Sequence, residues 1–265
     1  MSLLSVFAIY MVLGAFAGTL AGLFGIGGGL IIVPVLIFSF GAQGFSSEIA
    51  AHMAVGTSLA TIVFTSLSSI RSHHGHRAIR WDIFRPMAFG IIVGALIGAW
   101  TAALLSGAAL ELIIGLFVIL VGLKMLFNVN PSPGRNVAGK PGLATAGAGI
   151  GWASAIFGIG GGALTVPYLS WSNVRMQQAV GTSAACGLPI AIAGAVGNAW
   201  TGWGEPALPE YSLGFIYFPA LIGIILTSVL FARVGANLAH RLNAKVLKRV
   251  FAIMLLLVGL RFLLS

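Results

Sequence analysis

Acidic residues are scarce in this chain. Five occur in 265 positions: Glu48, Asp82, Glu111, Glu205 and Glu210. All fall at the ends of apolar segments or between them, so no carboxylate stands mid-span to relay protons or hold a cation. This argues against cation transport. Charge of either sign is also sparse, at 7% of residues, where a soluble domain carries roughly 25%. The solvent of this chain is therefore lipid. Cysteine occurs once, as Cys186 in an apolar run, which excludes an intrachain disulfide and reads as a small packing residue. Neither Cys186 nor any other nucleophile has a base beside it in the sequence, so no enzymatic activity is expected.

What is present is apolar. Hydrophobic residues make up 58% of the chain and the mean hydropathy is +1.04. The formal charge of +9 does not indicate nucleic acid, because the basic residues flank hydrophobic segments and report topology instead. The first segment, running to Leu23, lacks a basic leader. It reads as a retained membrane helix rather than a cleaved signal.

The chain repeats itself. FGIGGG at 24–29, followed by Val33-Pro34, returns at 157–162 with Val166-Pro167. AVGTS at 54–58 returns at 179–183, and Val121-Gly122-Leu123 returns as Val258-Gly259-Leu260. A duplicated pattern in an apolar chain is the signature of a transporter built from two related halves. The expected organisation is a first membrane repeat at 1–127, a linker rich in Pro, Gly and Asn at 128–141, and a second repeat at 142–265.

A full span needs about 20 apolar residues. Leu3–Leu23, Ile49–Ile70, Ile83–Leu105 and Leu110–Phe127 qualify in the first half, and Val180–Thr201, Leu213–Val234 and Val246–Leu264 in the second. Leu30–Phe40 and Ala163–Trp171 are about half that length. Each follows a GGG run, which should break a helix inside the membrane.

Equivalent loops carry opposite charge. Arg71, Arg77, Arg80 and Arg85 cluster in the first half, whereas Gly202–Ser212 has no basic residue. Ser106–Glu111 has none either, whereas its counterpart holds Arg233, Arg241, Lys245, Lys248 and Arg249. The positive-inside rule then puts equivalent loops on opposite sides. The expected fold is an all-α polytopic membrane protein of two inverted-topology helical repeats with broken or re-entrant half-helices. Five crossings per half, or three plus a re-entrant hairpin, both satisfy the charges. Both put the linker inside and both chain ends outside.

The candidate site is built from the repeated motifs. A helix starting after the glycines offers unpaired N–H groups and a positive dipole end to an anion. Gly27, Gly28 and Gly29, with Gly160, Gly161 and Gly162, are the candidate backbone contacts. Close helix packing by small residues is the competing explanation. Thr57, Ser58, Thr182 and Ser183 are expected at helix starts, where their hydroxyls could meet an anion or merely cap. His52 and Gln177 occupy equivalent positions and complete the substrate-binding set. Arg175 and the RSHHGHR stretch at 71–77 read as topology charge and a solvated cytoplasmic loop, and no metal is expected there.

Gly25, Gly27, Gly28, Gly29 and Pro34 with Gly56-Thr57-Ser58, and Gly158, Gly160, Gly161, Gly162 and Pro167 with Gly181-Thr182-Ser183, carry a resemblance to the sulfite exporter TauE/SafE family over nearly the whole chain. The resemblance implies a multi-pass permease of the bacterial inner membrane that moves sulfite, organosulfonates or related sulfur-containing anions. It implies no cofactor. The expected partners are the lipid bilayer and a small anion, with no nucleic acid; a homodimer is left open. The alternative is a membrane scaffold or assembly protein that transports nothing.

Overall fold

A computed structural model describes residues 3–24, 28–127, 134, 136–239 and 244–264. Half of the 128–141 linker (128–133 and 135), and Gly25 to Gly27, lie outside the described residues. Among those described, the first half forms α1 (Leu3–Phe24), α2 (Gly29–Ala42), α3 (Ser47–Gly75), α4 (Trp81–Ala103) and α5 (Gly107–Leu126). The second half forms α6 (Lys140–Phe157), α7 (Gly162–Trp171), α8 (Met176–Thr201), α9 (Phe218–Ala239) and α10 (Ala244–Leu263). A small antiparallel hairpin, β1 (Ser212–Leu213) and β2 (Ile216–Tyr217), precedes α9.

Four described helices, α3, α4, α5 and α8, are long and apolar enough to cross a membrane. Phe89, Trp100, Leu120, Leu230 and Leu257 stand exposed on the outer surface. In water such a face would be an association hazard, whereas in a bilayer it is the lipid-facing side.

The short helices start where the glycine runs end. α2 and α7 begin at Gly29 and Gly162, and Pro34 and Pro167 occupy the same turn in each. α6 stops at Gly158, whose φ of +64° is left-handed. A residue with a Cβ would be strained there and would also meet Val33 Cγ2 at 2.7 Å.

α6 is the element that hydropathy does not assign. Its sequence is rich in Gly and Ala because it lies backbone to backbone along α4. Gly147 and Gly151 abut the Met87 and Ile91 carbonyls, while Gly90, Gly94 and Gly98 abut the carbonyls of Ala144, Ala148 and Trp152. The matching contacts recur between α1 and α9, where a Cβ on Gly14 would fall 2.7 Å from Ile224 Cα and one on Gly18 2.5 Å from Ser228 Cα. Both are parallel pairs in which small residues let the helix axes come close.

Two further pairings join like with like. α3 packs on α8 and α5 on α10. Both pairs run antiparallel: Gly56 lies by Asn198 and Gly187 by Ser66, and Gly115 lies by Gly259 and Gly122 by Ala252. Each helix carrying AVGTS therefore runs opposite to its counterpart. The repeat register is 133 residues for α1/α6 and α2/α7, 125 for α3/α8, and 137 for α4/α9 and α5/α10.

Candidate functional site

The two glycine motifs meet. A Cβ on Gly29 would fall 2.7 Å from the Gly158 carbonyl and 2.8 Å from Ile159 Cα. Ser58 ties the junction by donating to the Gly158 carbonyl at 2.8 Å. Beside this junction lies a cavity of about 730 Å³. Gly28 from one half lines it, and so do Gly160, Gly161, Gly162 and Ser183 from the other. It continues along α3 to Ser72 and His73, at the helix end beyond the apolar span.

Most of the cavity wall is apolar, and apart from His73 at its outer end its polar groups are neutral donors. Gly28 and Gly161 precede α2 and α7 in helical conformation, and neither helix start has a side-chain cap. The first N–H groups of both helices thus keep their partial positive charge at the cavity. Thr65, Ser66, Ser69 and Ser72 place hydroxyls along one side of α3. Ser228 on α9 also lines the cavity, and its hydroxyl is buried without a hydrogen-bond partner among the described residues. Ser66 Oγ and Gly161 N lie 3.0 and 3.5 Å from the point where a Cβ on Gly187 would stand. No carboxylate lines the cavity. A wall of N–H and O–H donors without acidic groups suits an anion.

Not every expected site residue gathers there. Gly27 lies outside the described residues. Thr57 and Thr182 are fully buried but hold backbone: Thr57 Oγ1 accepts from the Tyr217 N–H at 3.0 Å, and Thr182 Oγ1 from the Arg80 N–H at 3.0 Å. These are equivalent contacts, each fixing the chain just before α9 or α4. The AVGTS motifs do not start helices, contrary to the sequence expectation. α3 starts at Ser47, where Ser46 accepts from the Glu48 N–H, and α8 starts at Met176. Both motifs therefore lie turns inside, where capping is not their role.

His52 sits near the opposite end of α3. Its Nε2 is 3.1 Å from the Ala102 carbonyl and its Nδ1 is 3.0 Å from the Glu48 carbonyl. Its ring stacks on Phe215 at 5.0 Å. Gln177 and Arg175 are exposed at the start of α8. The 71–77 stretch departs from the expected loop, because α3 continues to Gly75 and brings Ser72 and His73 into the cavity wall. Sequence reading missed Ser66, Gly187 and Ser228. The row of hydroxyls in TSLSS was a visible signal for Ser66. Gly187 and Ser228 carried none, since neither belongs to a repeated motif.

Comparison with known proteins bears on the whole chain. Residues 10–262 match the sulfite exporter TauE/SafE family. A protein of Haemophilus influenzae named "probable membrane transporter protein" is 36% identical over 96% of this chain and 97% of its own length. The "probable membrane transporter protein YunE" of Bacillus subtilis is 27% identical, covering 96% of both chains. A similarly named protein of Methanocaldococcus jannaschii is 25% identical over 97% of this chain and 95% of its own. No solved structure matches significantly. With a family match spanning all but the extreme ends, and glycine motifs that meet beside a donor-lined cavity, the chain belongs to the sulfite exporter TauE/SafE family of membrane transporters.

Proposed function

We propose that the protein exports a small sulfur-containing anion, sulfite or an organosulfonate, across the bacterial inner membrane. The observation that carries this reading is the cavity where Gly28 of one half faces Gly160, Gly161, Gly162 and Ser183 of the other. Two uncapped helix starts and the unpartnered Ser228 hydroxyl make it a site for negative charge. The antiparallel α3/α8 and α5/α10 pairs support an inverted repeat, with residues 1–127 and 142–265 as its halves. By the positive-inside rule the Arg-rich connection after α3 supports a cytoplasmic cavity mouth with both chain ends outside.

The site favours a monoanion. A helix end is worth roughly half a unit charge, so two ends approach one. Among the described residues no Lys or Arg lines the cavity to offset full desolvation of a dianion. For sulfite this selects the protonated monoanion, or a dianion that keeps part of its water. Energy then need not be coupled through a carboxylate.

Thermal stability of the purified protein, screened against sulfite, sulfate, thiosulfate, sulfoacetate and carboxylates, tests the reading. A ligand at a hundred times its Kd stabilises the folded state by about 2.7 kcal/mol. Stabilisation by sulfite or sulfoacetate, with flux of the same anion in proteoliposomes, is the expected result. No stabilisation and no flux with any of them would return the protein to the scaffold alternative.

A further inference from the structure

The two halves carry the same elements but close differently. The repeat register pairs Ala21 with Ser154, Ile32 with Thr165, Ser68 with Ala193, and Ala232 with Ala95. The first member of each pair lines the cavity and the second does not. Ala95 and Ala193 instead join Ala155 in one buried cluster. A Cβ on Gly197 would stand 2.5 Å from that of Ala99. Thus α8 is shut against α4, whereas its counterpart α3 stands off α9 around the cavity.

Two hydroxyls lie on the shut side without a partner among the described residues. Ser154 and Thr165 are both 0% exposed, and neither side-chain oxygen has a hydrogen bond to any described group. Buried hydroxyls ordinarily find a partner, and an orphan calls for an explanation such as a group absent from the present state. Their counterparts on the open side, Ala21 and Ile32, have no polar group at all. The shut side therefore holds its own donors, at the positions that face the cavity in the other half.

We propose that Ser154 and Thr165 are contacts of the transported anion, in a second cavity that forms when α8 parts from α4 and α3 closes on α9. This rests on the transport reading. The present cavity then serves one face of the membrane and the second serves the other, with the junction of the glycine motifs common to both. The seam of small side chains is what allows the parting. Ala95, Ala155 and Ala193 meet there through single methyls, and Gly197 offers only backbone to the Ala99 methyl, so no long interdigitated chains hold the seam.

Cysteine accessibility tests this. Ser154→Cys, Thr165→Cys and Ser228→Cys are each made in a Cys186→Ser background and reconstituted in vesicles of known orientation. A membrane-impermeant charged thiol reagent is added to one side at a time, with sulfite present. Ser228→Cys should react from the side of the Arg71–Arg85 connection. Ser154→Cys and Thr165→Cys should react from the opposite side and lose that reaction from the first. If either cysteine disturbs folding, Ala193→Cys on the seam reads the same opening. Protection of all three from both sides, or reaction only from the side that labels Ser228→Cys, would overturn the inference. Sulfite flux in the same vesicles is read separately. Flux with protected cysteines refutes the second cavity alone, and absent flux refutes the transport reading.

Discussion

Gly187→Ala separates packing from binding more cleanly than a change in the repeated motif. Gly187 lies inside α8, and its new methyl would meet only Ser66 Oγ at 3.0 Å and Gly161 N at 3.5 Å. Neither distance forces backbone to move. Ser66 need give only a few tenths of an ångström, and its hydroxyl can rotate. Replacing a helix-interior Gly with Ala stabilises by about 0.5–1 kcal/mol, so the fold should hold or gain slightly. The methyl takes the point on which those two polar atoms converge. A hydrogen bond to a charged group contributes about 1.5–3 kcal/mol. Losing one should weaken anion affinity between about tenfold and about a hundredfold, since 1.4 kcal/mol is a factor of ten. The assay is the half-saturating sulfite concentration, taken from flux in proteoliposomes and from the anion-dependent rise in thermal midpoint. A folded Gly187→Ala protein with unchanged half-saturation by both would refute the placement of the anion at this corner of the cavity.

Thr57→Val leaves the buried Tyr217 N–H, and Thr182→Val the half-buried Arg80 N–H, without its acceptor. Each should cost about 1–3 kcal/mol of stability, seen as a lower thermal midpoint with half-saturation unchanged. Gly161→Ala puts a Cβ 2.5 Å from the Ser183 carbonyl and should cost about 1–3 kcal/mol, lowering the yield of folded protein. Among the described residues Gly28→Ala meets only the flexible side chain of Ile32 in its own helix, so that variant should fold and lose flux. Sulfite flux should rise as pH falls from alkaline toward neutral, because the monoanion fraction grows, and His52→Gln should leave that trend in place. A flat profile in His52→Gln would make His52 the coupling residue.

The parts legible in the sequence were those fixed by local chemistry. The glycine runs had to interrupt helices, and α2 and α7 do start behind them. The apolar runs marked α3, α4, α5 and α8 as spans. α6 was not legible, because hydropathy counts Gly and Ala as weak, whereas here they are what allows contact with α4. The place of AVGTS within its helices was hidden because nothing in the motif marks a helix start. The partner of the Thr57 hydroxyl lies 160 residues away, beyond any local pattern. The 71–77 stretch was read as loop from its charge, yet a helix can outrun the hydrocarbon when its last turns meet water. Of the candidate site, the motif glycines and Ser183 were accessible to inspection. Ser66, Gly187 and Ser228 depend on which helix faces which.

The parallel pairs have a consequence for how the chain is made. α1 lies along α9, and α4 along α6, so the first half holds a helix whose partner is the ninth to be synthesised. Between the end of α1 at Phe24 and the start of α9 at Phe218, a ribosome adding about 5–20 residues per second needs on the order of 10–40 s. Throughout that interval the Gly14 and Gly18 face of α1 has no mate. Nascent α1 must therefore be shielded, by lipid or by the insertion machinery, until the second half is nearly complete. Neither half made alone would have its full complement of neighbours, so the two repeats are obliged to assemble as one unit.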